Sequence, residues 1–182
     1  MEKHQDLIDR IYEAPFQPYL WKDILQDLAN IAGARGGLLS SVPTNINSFI
    51  FSDSIWPLVE ATIADNLASE REMEPMLLKE SRADFYIDTD VFDIETRQST
   101  RFYTEILMRH GIGHVAGTQI RMTTGEHLLF SVLRSHDKGR VTQDALDELT
   151  TLRPHLARAV TLSIRNEFQQ VQNANRALAA TG

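Results

Sequence analysis

The spacing of apolar residues predicts helices toward both ends of the chain and hairpins of strands between them. A recurrence of apolar residues every three or four positions is typical of helices with one buried face. It covers about 3–13, 19–32, 56–68, 99–110 and 142–178. Strand-like segments cover 36–42, 48–52, 85–87, 114–122 and 127–134. Turn-forming residues separate the first two strands and also the last two, so we expect two hairpins in an antiparallel sheet.

The last strand predicts how the sheet is covered. It contains the nearly continuous apolar run Leu128, Leu129, Phe130, Ser131, Val132 and Leu133. A strand with one face in water alternates apolar and polar residues, because successive side chains point to opposite faces. This strand is apolar on both faces, so helices should cover both. The predicted fold class is α/β (α+β): a three-layer α/β/α sandwich with a central antiparallel sheet plus a long C-terminal helix.

We divide the chain into a sheet domain over 1–141 and C-terminal signalling and dimerisation helices with a linker end over 142–182. Pro154 should end or kink the helix near Arg153, which predicts two helical pieces. Beyond it, apolar residues and one asparagine follow the four-three spacing of a coiled-coil seam. These candidate dimer residues are Ile164, Phe168, Val171, Asn175 and Leu178. The alternative is that this helix packs on its own sheet.

The composition excludes several classes of protein. The 182 residues contain no cysteine, which excludes disulfides, thiolate zinc sites and cysteine nucleophiles. The net charge of −7 disfavours DNA binding by this chain itself. The sequence has no signal-peptide pattern and no apolar run of about 18 residues. We therefore expect a cytoplasmic protein without a membrane partner.

The sequence lacks the familiar motifs of catalysis and of cofactor or metal binding. No nucleophile turn, phosphate-binding loop or zinc-protease motif occurs. The acidic run over 84–95 lacks the glycine and the final glutamate of a calcium loop, so a solvated loop is expected. The histidines are interpreted as structural, with His110 at a helix C-terminus. We therefore expect no enzyme, no catalytic residue, no cofactor and no metal.

Five short segments and the order of elements carry a resemblance to a known group of proteins. The segments are IDRIYEA (8–14), WKDIL (21–25), GARGG (33–37), FYTEIL (102–107) and LRPHLARA (152–159). They resemble the N-terminal region of LuxR-type helix-turn-helix regulators from proteobacteria. The order of elements resembles the GAF and PAS superfamily of small-molecule sensor domains.

The resemblance implies a sensor domain that controls a DNA-binding helix-turn-helix. No such motif is found before Gly182, so it is expected outside this chain, unless the sensor stands alone. The sequence also lacks the Trp, Tyr and Asp pattern with which acyl-homoserine-lactone receptors hold their ligand. That ligand is therefore not carried over.

Candidate ligand contacts follow from the general make-up of pockets, which are mostly apolar with a few polar anchors. They are the aromatics in the middle of the chain and two polar residues of the long hairpin: Phe51, Trp56, Phe85, Tyr86, Phe102, Tyr103, Thr118 and Ser131. For each aromatic the alternative is ordinary core packing.

The function predicted is a ligand-sensing and dimerising domain of a transcription regulator. Its partners are an unknown small molecule, a second copy of the chain, and DNA only through the domain outside this chain. The main alternative is a ligand-free protein-interaction and dimerisation module. An enzyme of unfamiliar type is the third hypothesis.

Overall fold

The computed structural model describes residues 4–43, 49–66, 68–80, 82–123 and 125–180, with side chains up to Asn166 apart from those of 68 and 69. Its α-helices are α1 (Gln5–Glu13), α2 (Leu20–Ile31), α3 (Trp56–Ala64), α4 (Ala68–Arg71), α5 (Glu74–Leu77), α6 (Ile94–Ser99) and α7 (Gln143–Ala180). A π-helix covers Phe102–Leu107. The strands are β1 (Gly36–Val42), β2 (Ile50–Phe51), β3 (Tyr86–Ile87), β4 (Ile112–Arg121) and β5 (His127–Ser135).

The five strands form one antiparallel sheet in the order β2-β1-β5-β4-β3. Both predicted hairpins, β1–β2 and β4–β5, are confirmed. In the β4–β5 turn Gly125 has a φ of 93°, a conformation that glycine adopts at no steric cost. In the other hairpin, the connecting residues 44–48 lie outside the described part of the chain. The central strand β5 pairs with β1 on one side and with β4 on the other.

Helices α1, α2 and α7 cover one face of the sheet and form the first core with it. The rings of Trp21 on α2 and Phe130 on β5 lie 5.9 Å apart between centroids. Other fully buried members of this core are Ile11, Leu25, Leu149 and Leu156. The first part of α7 is therefore packed against the sheet.

The opposite face of the sheet carries the second core, built with α3, the π-helix and neighbouring turns. Its buried side chains include Leu38, Leu58, Tyr103, Leu107 and Leu133. Strand β5 thus sends Phe130 into the first core and Leu133 into the second, which explains why it is apolar on both faces. The predicted sandwich with a central antiparallel sheet and a long C-terminal helix is confirmed.

The expectation that Pro154 divides the last helix is wrong. Helix α7 runs for 38 residues and contains Pro154 in its interior. A proline inside a helix costs about 3 kcal/mol, through a lost hydrogen bond and a ring clash. Here Leu152 and Leu156 on either side of it are 1% and 0% exposed, so burial holds the helix to the sheet before and after the proline.

The helix predicted over 99–110 is instead three elements. Helix α6 ends at Ser99, and Thr100 has the extended angles φ −88° and ψ 136°. The π-helix follows, and a short 3₁₀ turn over Met108–His110 ends at Gly111, whose φ of 72° confirms the predicted left-handed cap. The apolar spacing did not reveal α6 because none of its residues is buried. Within the described residues, no helix is both long and apolar enough to cross a membrane.

Candidate ligand-binding cavity

A cavity lies in the second core, between the sheet and the segments that cover it. The region that the centre of a water molecule can occupy has a volume of about 70 Å³. All the space between the lining atoms, including that at the mouth of the cavity, amounts to about 770 Å³. Its walls are mostly apolar. The apolar lining consists of Leu38, Val42, Leu58, Met73, Leu77, Phe92, Phe102, Val115, Leu129 and Leu133. The polar or small lining residues are Ser40, Glu70, Tyr86, Asp88, Tyr103, Gly117 and Ser131.

The floor of the cavity is formed where β1, β5 and β4 run side by side. Ser131 on β5 lies opposite Leu38 on β1 and opposite Gly117 on β4. A Cβ atom at Gly117 would approach the carbonyl oxygen of Phe130 to 2.7 Å, which is closer than such atoms pack. The strands therefore require a residue without a side chain at Gly117, and this leaves open space above the sheet.

A buried charge cluster forms one end of the cavity. Asp88 is 5% exposed, and its Oδ2 lies 3.4 Å from Nε of Arg97 without hydrogen-bond geometry. Neither of these two atoms has a hydrogen-bond partner among the described residues. The Arg97 guanidinium also lies over the Tyr103 ring, 5.1 Å from its centroid, and donates to the carbonyl oxygen of Gly113. The acidic run is therefore not wholly solvated, because Asp88 is drawn into the core.

Burial dominates the electrostatics of this cluster. It raises the pKa of Asp88, against the opposing effects of Arg97, the Tyr103 hydroxyl and two backbone N–H groups. Burial and the adjacent Asp88 carboxylate also raise the pKa of Tyr103. The Tyr103 hydroxyl therefore stays protonated and interacts with the Asp88 carboxylate.

A second carboxyl group, that of Glu70 on α4, lines the cavity. Burial, and to a lesser extent the nearby Glu74 carboxylate, raise its pKa to about 7. No cation forms an ion pair with Glu70 within the described part of the chain. Its charge near neutral pH therefore depends on what occupies the cavity.

Tyr86 on β3 is held at the edge of the cavity by the Gln119 side chain. The Nε2 of Gln119 donates to the Tyr86 hydroxyl at 3.3 Å and to the carbonyl oxygen of Leu77 at 2.9 Å. Its Oε1 lies 3.0 Å from Nδ1 of His127. Burial raises the pKa of Tyr86 to about 12, so the phenol stays protonated at neutral pH.

The structure brings four of the eight candidate ligand residues to the cavity: Tyr86, Phe102, Tyr103 and Ser131. Phe51 on β2 and Trp56, the first residue of α3, stack on each other with centroids 5.7 Å apart, and Trp56 is exposed. Phe85 belongs to the first core, on the opposite face of the sheet. Thr118 also faces that side, where its hydroxyl accepts a hydrogen bond from Arg153 of α7. Contact of any of the eight with a ligand stays a prediction.

Sequence reasoning missed Glu70 and Asp88. Charged residues in a polar segment are usually solvated, and nothing in their spacing indicated burial. The sequence did indicate that not every polar residue of the long hairpin points to the same face of the sheet, as Thr118 and Ser131 were expected to do. Because adjacent strand residues alternate between faces, Gly117 and Thr118 cannot both point into the same cavity.

His110 and the candidate dimer residue Ile164 lie outside the cavity lining. The Nδ1 of His110 lies 2.7 Å from the carbonyl oxygen of Ile106, one helical turn earlier. Across the described residues, no group of three or more histidine and acidic side chains is placed to hold a metal ion. Of the five dimer candidates, Ile164 is partly buried against the first core. The side chains of Phe168, Val171, Asn175 and Leu178 lie outside the described residues.

Comparisons with known proteins show a likeness to solved structures. No protein-family model and no curated protein matches the sequence. One of the solved domains whose fold this chain resembles has 96% of its length covered. This is the LBD (ligand-binding domain) of VqsR from Pseudomonas aeruginosa, with a TM-score of 0.61 over 88% of this chain and 96% of that one. The two sequences are 14% identical, so the likeness shows the fold alone.

Proposed function

We propose that this chain is the ligand-sensing and dimerising domain of a LuxR-type transcription regulator, and that the cavity is its ligand site. The observation that carries the proposal is an apolar cavity with a few polar groups, lying between a sheet and the segments that cover it. The fold shared with the VqsR ligand-binding domain and the LuxR-like sequence segments support it. In this proposal the domain is GAF/PAS-like and cytoplasmic, and a helix-turn-helix outside the chain contacts DNA.

A direct connection between the cavity floor and α7 supports a route for the signal. Gly117 lines the cavity, and the next residue, Thr118, accepts a hydrogen bond from Arg153 of α7 on the opposite face. A ligand that binds one arrangement of β4 and α7 more tightly than another shifts the population toward it. In this proposal, a change in the position of α7 is passed on to the DNA-binding domain that follows it.

The test is to look for a bound small molecule in the purified full chain by native mass spectrometry. We expect a bound species in the wild type and its loss in Ser131→Leu, because the larger side chain fills the floor of the cavity. Ser135→Leu, on the same face of β5 but outside the cavity lining, should keep the bound species. No bound species, together with no rise in the melting temperature with any compound of a metabolite library, would contradict the proposal.

A ligand-free interaction module is the second candidate, favoured by exposed aromatic residues between α1 and α2. Phe16 and Tyr19 are 73% and 68% exposed. Phe16 directly follows Pro15, whose carbonyl oxygen accepts a hydrogen bond from Asn166 of α7. Exposed aromatic residues are enriched in protein interfaces. If Phe16→Ser abolishes self-association while no small molecule binds the wild type, this candidate is favoured over the sensor.

A further inference from the structure

The charges around the cavity point to the chemical class of its ligand; this inference rests on the proposed function. Two carboxyl groups, Glu70 and Asp88, line the cavity, and none of the described lining residues is lysine, arginine or histidine. Arg97 stands behind Asp88 and compensates that one charge. Counting Arg97, the cavity has one uncompensated acidic group, Glu70. An anionic ligand is therefore disfavoured, and a cationic one is attracted.

The buried Asp88 is an independent observation that indicates a hydrogen-bond donor in the cavity. Its side chain is 4% exposed, and Oδ2 has no hydrogen-bond partner among the described residues. A buried carboxylate oxygen without a donor is costly, and structures rarely leave one so. Because Asp88 lines the cavity, a donor group on a bound molecule is placed to satisfy it.

The aromatic lining suits the same kind of molecule. Tyr86, Phe92, Phe102 and Tyr103 all line the cavity. The Tyr103 ring meets Phe92 and Phe102 edge to face, with centroids 6.3 and 6.0 Å apart. The faces of aromatic rings attract cations, and most strongly where water is excluded. An organic cation thus gains from the rings as well as from the carboxyl groups.

We propose that the cavity selects small molecules that join a protonated amine to an apolar body, with Glu70 as the group that pairs with the ammonium. The N–H groups of the ammonium also supply the donor that Oδ2 of Asp88 lacks, the aromatic rings hold the apolar body, and Ser131 and Gly117 form the floor beneath it. Uncharged molecules of the same shape bind more weakly, and carboxylates are excluded.

The test compares three probes that share a phenyl ring and a short chain: 2-phenylethylamine, 2-phenylethanol and 3-phenylpropanoate. Their affinities for the full chain are measured by isothermal titration calorimetry at pH 7. We expect the amine to bind at least about tenfold more tightly than the alcohol, and the carboxylate more weakly than both. Glu70→Gln should reduce only the affinity for the amine, again about tenfold. Glu60→Gln, which removes an exposed carboxylate from α3, should leave all three affinities unchanged.

A second readout needs no variant. Burial raises the pKa of Glu70 to about 7, so pairing of its carboxylate with an ammonium near neutral pH releases a proton from the protein. Titrations in phosphate and in MOPS buffer, which differ in ionisation enthalpy, should report proton release on binding of the amine. The alcohol should release none.

The outcomes separate the two proposals. Equal affinity for the amine and the alcohol, or no proton release with the amine, would overturn the inference and leave the cavity a ligand site. Absence of binding by all three probes would overturn the inference and count against the proposed function as well.

Discussion

Arg153 on α7 donates a hydrogen bond from Nε to the hydroxyl of Thr118 on β4, at 2.9 Å. Its Nη2 donates to the carbonyl oxygen of Gln119, at 2.8 Å. Thr118 directly follows Gly117 in the cavity floor, so the last helix is tied to the back of a strand whose front faces the cavity. Four predictions test this arrangement and the features connected with it.

The first prediction concerns the Arg153–Thr118 hydrogen bond. Thr118→Val keeps the shape of the side chain but leaves a buried guanidinium N–H without its partner. We expect the free energy of unfolding, measured by urea denaturation, to fall by about 1–3 kcal/mol. Thr161→Val is the control, because that hydroxyl bonds only within α7, to Ala157, and its loss should cost about 0.5 kcal/mol or less. Equal losses in the two variants would contradict the prediction.

The second prediction tests whether the first part of α7 stabilises the sheet. Leu149 is 0% exposed in the first core, whereas Leu162 further along the helix is 39% exposed. Leu149→Ala should lower the free energy of unfolding by about 2–5 kcal/mol, because it removes buried methyl groups and leaves a cavity. The same change at Leu162 should cost under about 1 kcal/mol. If Leu149→Ala is as mild as Leu162→Ala, α7 does not belong to the core of the domain.

The third prediction follows from the raised pKa of Glu70. The folded protein binds the proton of this group more tightly than the unfolded chain, whose pKa is near 4.5, against about 7 when folded. The contribution of protonated Glu70 to the free energy of unfolding is therefore fully present below pH 4.5, and it is lost as the pH rises through 7. Glu70→Gln should therefore be nearly neutral at pH 4.5 and stabilising at pH 8. We expect a gain on the order of 1–2 kcal/mol, less than the full linkage because the side chain is partly exposed.

Urea denaturation of the ligand-free protein at several values of pH checks this prediction. Glu60→Gln, which removes an exposed carboxylate from α3, is the matched control for the loss of one charge. A stabilisation by Glu70→Gln that does not vary between pH 4.5 and 8 would show that Glu70 titrates as an ordinary solvated glutamate.

The fourth prediction concerns self-association through the seam predicted in the second half of α7. Phe168→Glu places a charge where the spacing expects an apolar contact between two copies. We expect the dimer dissociation constant to rise at least about tenfold, as measured by sedimentation equilibrium. Gln170→Glu adds a negative charge outside the seam and should leave the constant within about twofold. A wild-type chain that sediments as a monomer at all accessible concentrations would refute the seam.

The layered architecture was determined by the sequence itself. Hydrophobic burial follows the period of each element, so a strand with Phe130 and Leu133 on opposite faces needs cover on both sides. The hairpins and the left-handed cap at Gly111 followed equally from local chemistry, because turns and caps depend on neighbouring residues. These features depend on residues that are close together in the chain, and they can therefore be predicted from the sequence.

The course of α7 through Pro154 and the composition of the cavity were decided only by the tertiary structure. The proline penalty is local, but the burial of Leu152 and Leu156 that exceeds it comes from a sheet formed by distant residues. The sequence likewise predicts that Glu70 and Asp88 are solvated, whereas in the folded protein distant segments of the chain enclose them. Burial depends on contacts between parts of the chain that are far apart in sequence, and spacing along one segment carries no information about them.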